Sequence, residues 1–284
     1  MRGRVLVIAG SDSGGGAGVQ ADIKTITALD AFAMTAITAL TAQNTIGVQG
    51  VLPVPPDFLR LQIVSVLDDL GADAIKTGML GDAATIATVA DMLESRAHGL
   101  PLVVDPVMVA KGGHSLLADA AITHLRQRLV PLATVLTPNL PEAAMLTGLT
   151  ITTEADMFAA APALRALGAA AVLLKGGHLH GDDLIDLLIT ATGIRTFRSP
   201  RIATRHTHGT GCTLASAIAA GLAQGMDLSA AVTRARAYVQ AAITAAPGLG
   251  AGHGPLNHAI TVDLTRIVPP VPAAPRNFPP QRAR

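Results

Sequence analysis

The chain has no tryptophan, one tyrosine and five phenylalanines among its 284 residues. Single-stranded nucleic acid is held on aromatic platforms interleaved with basic side chains, and so sparse an aromatic set supplies none. Charge points the same way. Lys and Arg number 21 against 20 Asp and Glu, a net charge of +1, which leaves no basic excess to track a phosphate backbone. Cys212 is the single cysteine. That excludes an internal disulfide framework and fits a reducing compartment, the cytoplasm. Long apolar runs are missing too. Half of the residues are hydrophobic, but much of that is alanine, and no stretch reaches the roughly 18 uninterrupted apolar residues of a membrane span. Met1-Arg2-Gly3-Arg4 leads straight into residues 5–8, an apolar run too short for a signal-peptide core.

What is present is alternation. Short Val/Ile/Leu runs at residues 5–9, 32–40, 48–54, 72–76, 102–104, 134–136 and 170–174 read as strands. Amphipathic, Ala-rich segments at 18–29, 57–70, 83–94, 119–129, 139–146, 154–167, 211–223 and 229–246 read as helices. This order implies an α/β fold with a mostly parallel sheet covered on both faces. Residues 184–189 and 194–199 read as a hairpin at one sheet edge. No linker divides the chain, so residues 1–267 are expected to be one domain. From 268 to 284 the sequence is Pro-rich and aperiodic, as in a disordered tail.

The densest chemistry lies in Thr207-His208-Gly209-Thr210-Gly211-Cys212-Thr213, ahead of the apolar residues 214–223. Glycines there let the backbone turn sharply and approach a ligand. The helix that follows aims free N–H groups and its positive dipole end at one spot, which suits a phosphate. A thiol in that field is expected to have a lowered pKa and to serve as base or nucleophile. The same cysteine also reads as a small buried side chain at a tight helix start. The loop Gly10-Ser11-Asp12-Ser13-Gly14-Gly15-Gly16-Ala17-Gly18 is neither a P-loop nor a GxGxxG fingerprint, yet its glycines favour close approach to a small ligand.

Other polar residues fall where strands end, which is the ligand side of an open α/β sheet. Gln43 carries a donor and an acceptor on one amide, matched to a heteroaromatic ring edge. Met79 reads either as an adaptable wall for such a ring or as core. Asp105 and Glu142 suit Mg²⁺ held mainly through water beside nucleotide phosphates. Asn139 also reads as a helix N-cap, with Glu142 completing a capping box. Lys175 is placed to neutralise a transferring phosphoryl group. Lys111-Gly112-Gly113-His114 repeats the letters of Lys175-Gly176-Gly177-His178 by coincidence. His206, His208 and Cys212 are metal-ligand types, but their spacing matches no usual zinc pattern.

In this order and spacing, the words Ile8–Gly18 with Gln20-Ala21-Asp22, Thr38–Asn44, Lys76–Leu80, Asp105–Met108, Thr137–Glu142, Lys175–His178 and Thr207–Thr213 resemble the bacterial hydroxymethylpyrimidine/phosphomethylpyrimidine kinases of thiamine biosynthesis, in the ribokinase-like superfamily. The resemblance implies a three-layer α/β/α architecture and ATP- and Mg²⁺-dependent phosphorylation of 4-amino-5-hydroxymethyl-2-methylpyrimidine and then of its monophosphate. It implies that Gly10, Asp22, Gln43, Met79 and Val107 line the pyrimidine pocket with Cys212. Gln43 would pair with the ring nitrogen and amine. Asp105 and Glu142 would organise Mg²⁺, with Asn139 nearby, and Lys175 would meet the ATP phosphates. Thr207, Gly209, Thr210 and Gly211 would form the anion hole, and Cys212 would act as base. Lys111 would sit on a mobile flap, and the chain would be a cytoplasmic homodimer without a nucleic-acid or membrane partner. In the segment Gly252–His258, Asn257 stands where the family often has His. The alternatives are a pyridoxal or pyridoxine kinase of the same superfamily and a ligand-binding relative that has lost turnover.

Overall fold

In the computed structural model the apolar run after Arg4 becomes strand β1 (Arg4–Asp12), whose residues Val5, Leu6, Val7 and Ile8 are wholly buried. A strand apolar on both sides must be covered on both sides. Odd and even positions divide accordingly: Val5 and Val7 enter one core, Leu6 and Ile8 the other. The structure describes residues 1–108 and 119–266. The expected Lys111 flap and the Pro-rich tail from 268 lie outside them.

The remaining strands are β2 (Phe32–Gln43), β3 (Val48–Pro53), β4 (Ala74–Thr77), β5 (Leu102–Val104), β6 (Val135–Leu136), β7 (Val172–Lys175), β8 (Asp183–Thr190) and β9 (Gly193–Pro200). Among the described residues they form one sheet in the order β3-β2-β1-β4-β5-β6-β7-β8-β9. β2, β1, β4, β5, β6 and β7 run parallel; β3 at one edge and β8–β9 at the other run antiparallel. One face is covered by α1 (Gly18–Ala28), α8 (Thr210–Ala223) and α9 (Leu228–Thr244). The other is covered by α2 (Pro56–Asp69), α3 (Ala83–Arg96), α4 (Asp119–His124), α5 (Leu140–Thr147), α6 (Glu154–Ala159) and α7 (Ala161–Arg165). This is the expected three-layer α/β/α arrangement.

Alanine sets how closely the layers approach. In α8 the residues from Thr213 to Gly221 are all buried. A Cβ on Gly221 would meet the Ala231 Cβ of α9 at 2.8 Å, so the two helices pack almost backbone to backbone there. Two expected helices differ from the pattern. Residues 154–167 break into α6 and α7 because Pro162, in the first turn of α7, has no N–H to bond back four residues. Residues 119–129 change to a π-turn over Leu125–Leu129 and a 3₁₀ turn over Val130–Leu132 around Pro131.

Candidate active site

Because six strands are parallel, their carboxyl ends open on one side of the sheet. The β1–β2 register slips at Gly10, whose N–H instead meets the Met79 carbonyl at 3.1 Å. A Cβ at Gly10 would overlap the Met79 methyl. Met79 therefore lies flat on the backbone as a wall. Asp12, at the end of β1, accepts N–H bonds from Gly14 (2.8 Å), Gly16 (3.2 Å) and Ala17 (2.8 Å) and holds the glycine loop closed. Burial raises its pKa, but His208 and those backbone donors outweigh it and leave it below the usual range.

The second glycine loop closes onto the first. Gly209 caps α8 at φ +81°, a conformation that favours glycine, and a Cβ there would overlap the Gly16 carbonyl oxygen. The first turn of α8 is thereby fixed beside Lys175 and Asp105. A Cβ at Gly211 would stand 3.4 Å from Lys175 Nζ and 3.6 Å from Asp105 Oδ2. Lys175 Nζ bonds Asp105 Oδ1 at 3.0 Å, and Thr137 donates to the same oxygen at 3.1 Å. Burial lowers the Lys175 pKa, but Asp105 and Glu142 reverse this and hold the ammonium charged. Asn139 and Glu142 form the expected capping box at the head of α5. Burial, with Asp105 nearby, pushes Glu142 up to about 7 against the pull of Lys175.

A single cleft of about 1230 Å³ collects Gly10, Gln43, Met79, Val107, Asp105, Asn139, Glu142, Lys175, Thr207, Gly209, Thr210, Gly211 and Cys212. Strand order sets Gln43 of β2 towards one end. Arg236 of α9, paired with the buried Asp186 of β8, lies towards the other. Such a cleft has room for two ligands end to end.

Two expectations need correction. Asp22 does not line the cleft; it is wholly buried beneath it, gripped by Lys76 Nζ at 2.9 and 3.0 Å and by Ser216 Oγ at 2.6 Å. Lys76, from the end of β4, is the member of that pair that reaches the cleft lining. Nor does the Cys212 thiol have a lowered pKa. Burial pushes it up to about 11, with Asp22 and Asp105 adding to the rise; Lys76 and a bond from the Gly18 N–H pull the other way without overcoming it. Desolvation of a thiolate outweighs the helix terminus here. As for zinc, His208 turns its ring to Asp12 at 2.8 Å, and no group of three His, Cys, Asp or Glu that could hold a metal forms among the described residues.

Comparison with known proteins shows the family. The profile described as phosphomethylpyrimidine kinase matches residues 12–257. The chain belongs to the phosphomethylpyrimidine kinase family. A hydroxymethylpyrimidine/phosphomethylpyrimidine kinase of Streptomyces coelicolor is 52% identical over 254 residues, covering 89% of this chain and 93% of that one. The bifunctional thiamine biosynthesis protein ThiED of Geobacter sulfurreducens is 52% identical over 93% of this chain, which spans only 54% of that longer protein. Among solved structures, the ADP complex of Bacillus subtilis pyridoxal kinase superposes with a TM-score of 0.85 at 38% identity, covering 91% of this chain and 98% of that one.

In this kinase the structure gives partners to residues that the sequence left without them: Asp12 pairs with His208, Lys76 and Ser216 grip Asp22, and Thr137 bonds Asp105. None has a local signal. Asp12 and His208 are 196 positions apart, and Asp22 and Ser216 are 194 apart. The C-terminal segment also finds a place. His258 Nε2 lies 3.0 Å from Thr213 Oγ1, next to Cys212 in sequence, and His208 N–H bonds the Gly254 carbonyl. The segment thus straps the head of α8.

Proposed function

We propose that the kinase transfers the γ-phosphoryl group of ATP to the hydroxymethyl oxygen of 4-amino-5-hydroxymethyl-2-methylpyrimidine, and then a second phosphoryl group to the monophosphate. The observation that carries this is one cleft in which Cys212 heads a buried helix beside the Lys175–Asp105 pair, with the Gln43 amide in the same cavity. The acceptor oxygen forms the new O–P bond, the bond from the γ-phosphorus to the bridging oxygen breaks, and ADP leaves. Cys212, as thiolate, takes the hydroxyl proton. The N–H groups of the first turn of α8 and the Lys175 ammonium meet the charge on the transferring group.

Mg²⁺ fits the donor set. It binds through one or two carboxylates plus phosphates and retained waters, and Asp105 and Glu142 are two buried carboxylates on the cleft wall. When bound it would supply charge neutralisation of the phosphates. Glu142, held near 7 without it, is a carboxylate that a divalent cation would keep ionised.

Product analysis by mass spectrometry, with ATP and either the pyrimidine alcohol or pyridoxal, tests the assignment. The pyridoxal arm is included because of the Bacillus subtilis pyridoxal kinase likeness. Gln43→Leu sharpens it. Losing a buried donor–acceptor pairing costs on the order of 1–3 kcal/mol, so kcat/KM for the pyrimidine should fall far more than any pyridoxal activity. Equal losses would refute the role of Gln43.

The sheet edge supports a homodimer. Ile46, Val51, Leu52, Phe58 and Leu61 are exposed apolar residues on or near β3, an edge strand with unpaired backbone groups, and Val48, Val51 and Pro53 also line the cleft. A second copy seated there would complete the cleft mouth. Light scattering should give twice the chain mass, and Leu52→Glu should give the single mass. A wild-type chain that runs as a monomer would end this reading.

A further inference from the structure

Strand β8 carries a charge where its neighbours are apolar. Residues Ile185 to Ile189 are all buried, and Asp186 is the one ionisable side chain among them. A buried carboxylate is costly unless its oxygens find donors. Here Oδ1 accepts the Gly176 N–H at 2.9 Å, and Oδ2 pairs with Arg236 Nη1 of α9. Arg236 is held in turn. Its Nη2 donates to Ser199 Oγ at 3.1 Å, and its guanidinium lies 5.4 Å from the centre of the Phe197 ring. The two carboxylate oxygens are thereby assigned, one to α9 and one to the turn that leaves β7.

That turn begins directly after Lys175. Lys175 ends β7 opposite Asp186, and its own N–H donates to the Pro138 carbonyl at 2.8 Å. The peptide on its other side is fixed by the bond from the Gly176 N–H to Asp186. The chain passes β8 so closely there that a Cβ at Gly176 would overlap the Ile185 carbonyl oxygen. Further along, Arg201 donates to the carbonyls of Gly177 at 2.9 Å and Leu179 at 2.7 Å. The turn is therefore gripped by its carbonyls at the far end and by its leading N–H at Asp186. The Lys175 backbone is pinned on both sides, with Nζ 3.0 Å from Asp105 Oδ1 and facing Gly211 in the first turn of α8.

We infer that Asp186 is a positioning residue for phosphoryl transfer: with one oxygen held by Arg236, it fixes the Gly176 N–H with the other and so sets where the Lys175 ammonium stands. It acts through Lys175 rather than on the transferred group, and the inference rests on the proposed role of Lys175. The position demands a carboxylate. A guanidinium and a backbone N–H both present donors only, and an amide has one accepting atom. An amide here would give its oxygen to the charged guanidinium, the stronger donor, and turn its NH₂ group on the Gly176 N–H. Donor would face donor, and the turn would shift. A displacement of about 1 Å at a reacting group can cost on the order of 10²-fold in rate.

The test compares Asp186→Asn, Asp186→Asn/Arg236→Met and Asp186→Ala/Arg236→Met on the full chain, with KM and kcat measured for ATP and the pyrimidine alcohol. Asp186→Asn should lower kcat by roughly 10–10²-fold with each KM changed by less than about threefold, as when a contact made only in the transition state is lost. Both double variants remove the whole ion pair, which is often near neutral for stability, and they differ in one acceptor. Asp186→Asn/Arg236→Met, with no guanidinium competing for the amide oxygen, returns that oxygen to Gly176 and should recover most of the lost kcat. Asp186→Ala/Arg236→Met has no acceptor there and should stay slow. Equal kcat in the two double variants would overturn the inference, and this comparison decides even if Asp186→Asn does not fold. In a Lys175→Met background, Asp186→Asn should lower kcat no further; an equal fall in both backgrounds would overturn the inference, as would a raised KM for ATP at unchanged kcat, since the pair would then hold the nucleotide itself. A wild-type chain that does not phosphorylate the pyrimidine, or a Lys175→Met variant with unchanged kcat, would overturn the proposed function or the Lys175 role, and the inference with it. Normal turnover that depends on Lys175 but not on Asp186 would overturn the inference alone.

Discussion

Cys212→Ala is expected to slow phosphorylation of the pyrimidine alcohol by roughly 10²–10⁴-fold, the usual worth of a positioned base, while leaving phosphorylation of the monophosphate nearly intact. The two acceptors differ in one proton. The alcohol must lose one as its oxygen attacks phosphorus. The monophosphate, with a second pKa of about 6 as for phosphorylated side chains, is already mostly dianionic near neutrality. The raised thiol pKa makes the expectation sharper. With the Cys212 thiol held up at about 11, the thiolate fraction grows tenfold per pH unit throughout the neutral range. So kcat/KM for the alcohol should climb with a slope approaching one on a logarithmic plot between about pH 7 and 9, and the slope should vanish in Cys212→Ala. The monophosphate profile should be flat over the same interval in both proteins. If both steps fall by one factor and the slope persists, the thiol is shaping the anion hole rather than taking a proton.

The largest loss of stability is expected at the buried pair beneath the cleft. Lys76 and Asp22 are both wholly buried, joined at 2.9 Å. Burial lowers the Lys76 pKa, but Asp22, Cys212 and Asp105 more than restore it, so the side chain is an ammonium ion inside the protein. Removing one partner strands the other charge away from water, typically at a cost of roughly 3–5 kcal/mol, whereas replacing both by apolar residues of similar size is often near neutral. Asp22→Ala should therefore lower the midpoint of urea unfolding far more than the double variant Asp22→Leu/Lys76→Met. A double variant as unstable as the single one would show that the pair is held by packing rather than by charge. Activity should not return with stability, since the double variant lacks the cation that draws the Cys212 thiol down.

What could be read from the sequence was local. The glycine turn that opens α8, the Asn139–Glu142 box and the alternation of apolar runs are each specified within a few residues, and the structure places them as expected, with α8 starting one residue earlier at Thr210. The break between α6 and α7 was also written in Pro162, and the helical period on either side hid it. What could not be read depends on distant partners. Whether Asp22 faces a ligand or a lysine is decided by β4 and α8, not by its neighbours in sequence. Whether Cys212 is acidified by its helix or made more basic by burial depends on how tightly α1, α8 and the sheet exclude water, which no motif encodes. His208 reads as a metal-ligand type whose spacing fits no zinc pattern until the fold brings it to Asp12.

The scarcity of aromatic residues has a practical counterpart. Without tryptophan, intrinsic fluorescence comes from one emitter, Tyr238, on α9 with its hydroxyl bonded to the His258 carbonyl at 2.8 Å. It is 5% exposed, and burial, against a bond with Thr25, raises its pKa to about 12, so it stays un-ionised over the working pH range. Ultraviolet emission from this protein therefore reports on one place, the junction of α9 with the segment that straps Thr213 and the head of α8. Loosening of that strap would appear as a change in a single-site signal, without a label and without background from the rest of the chain.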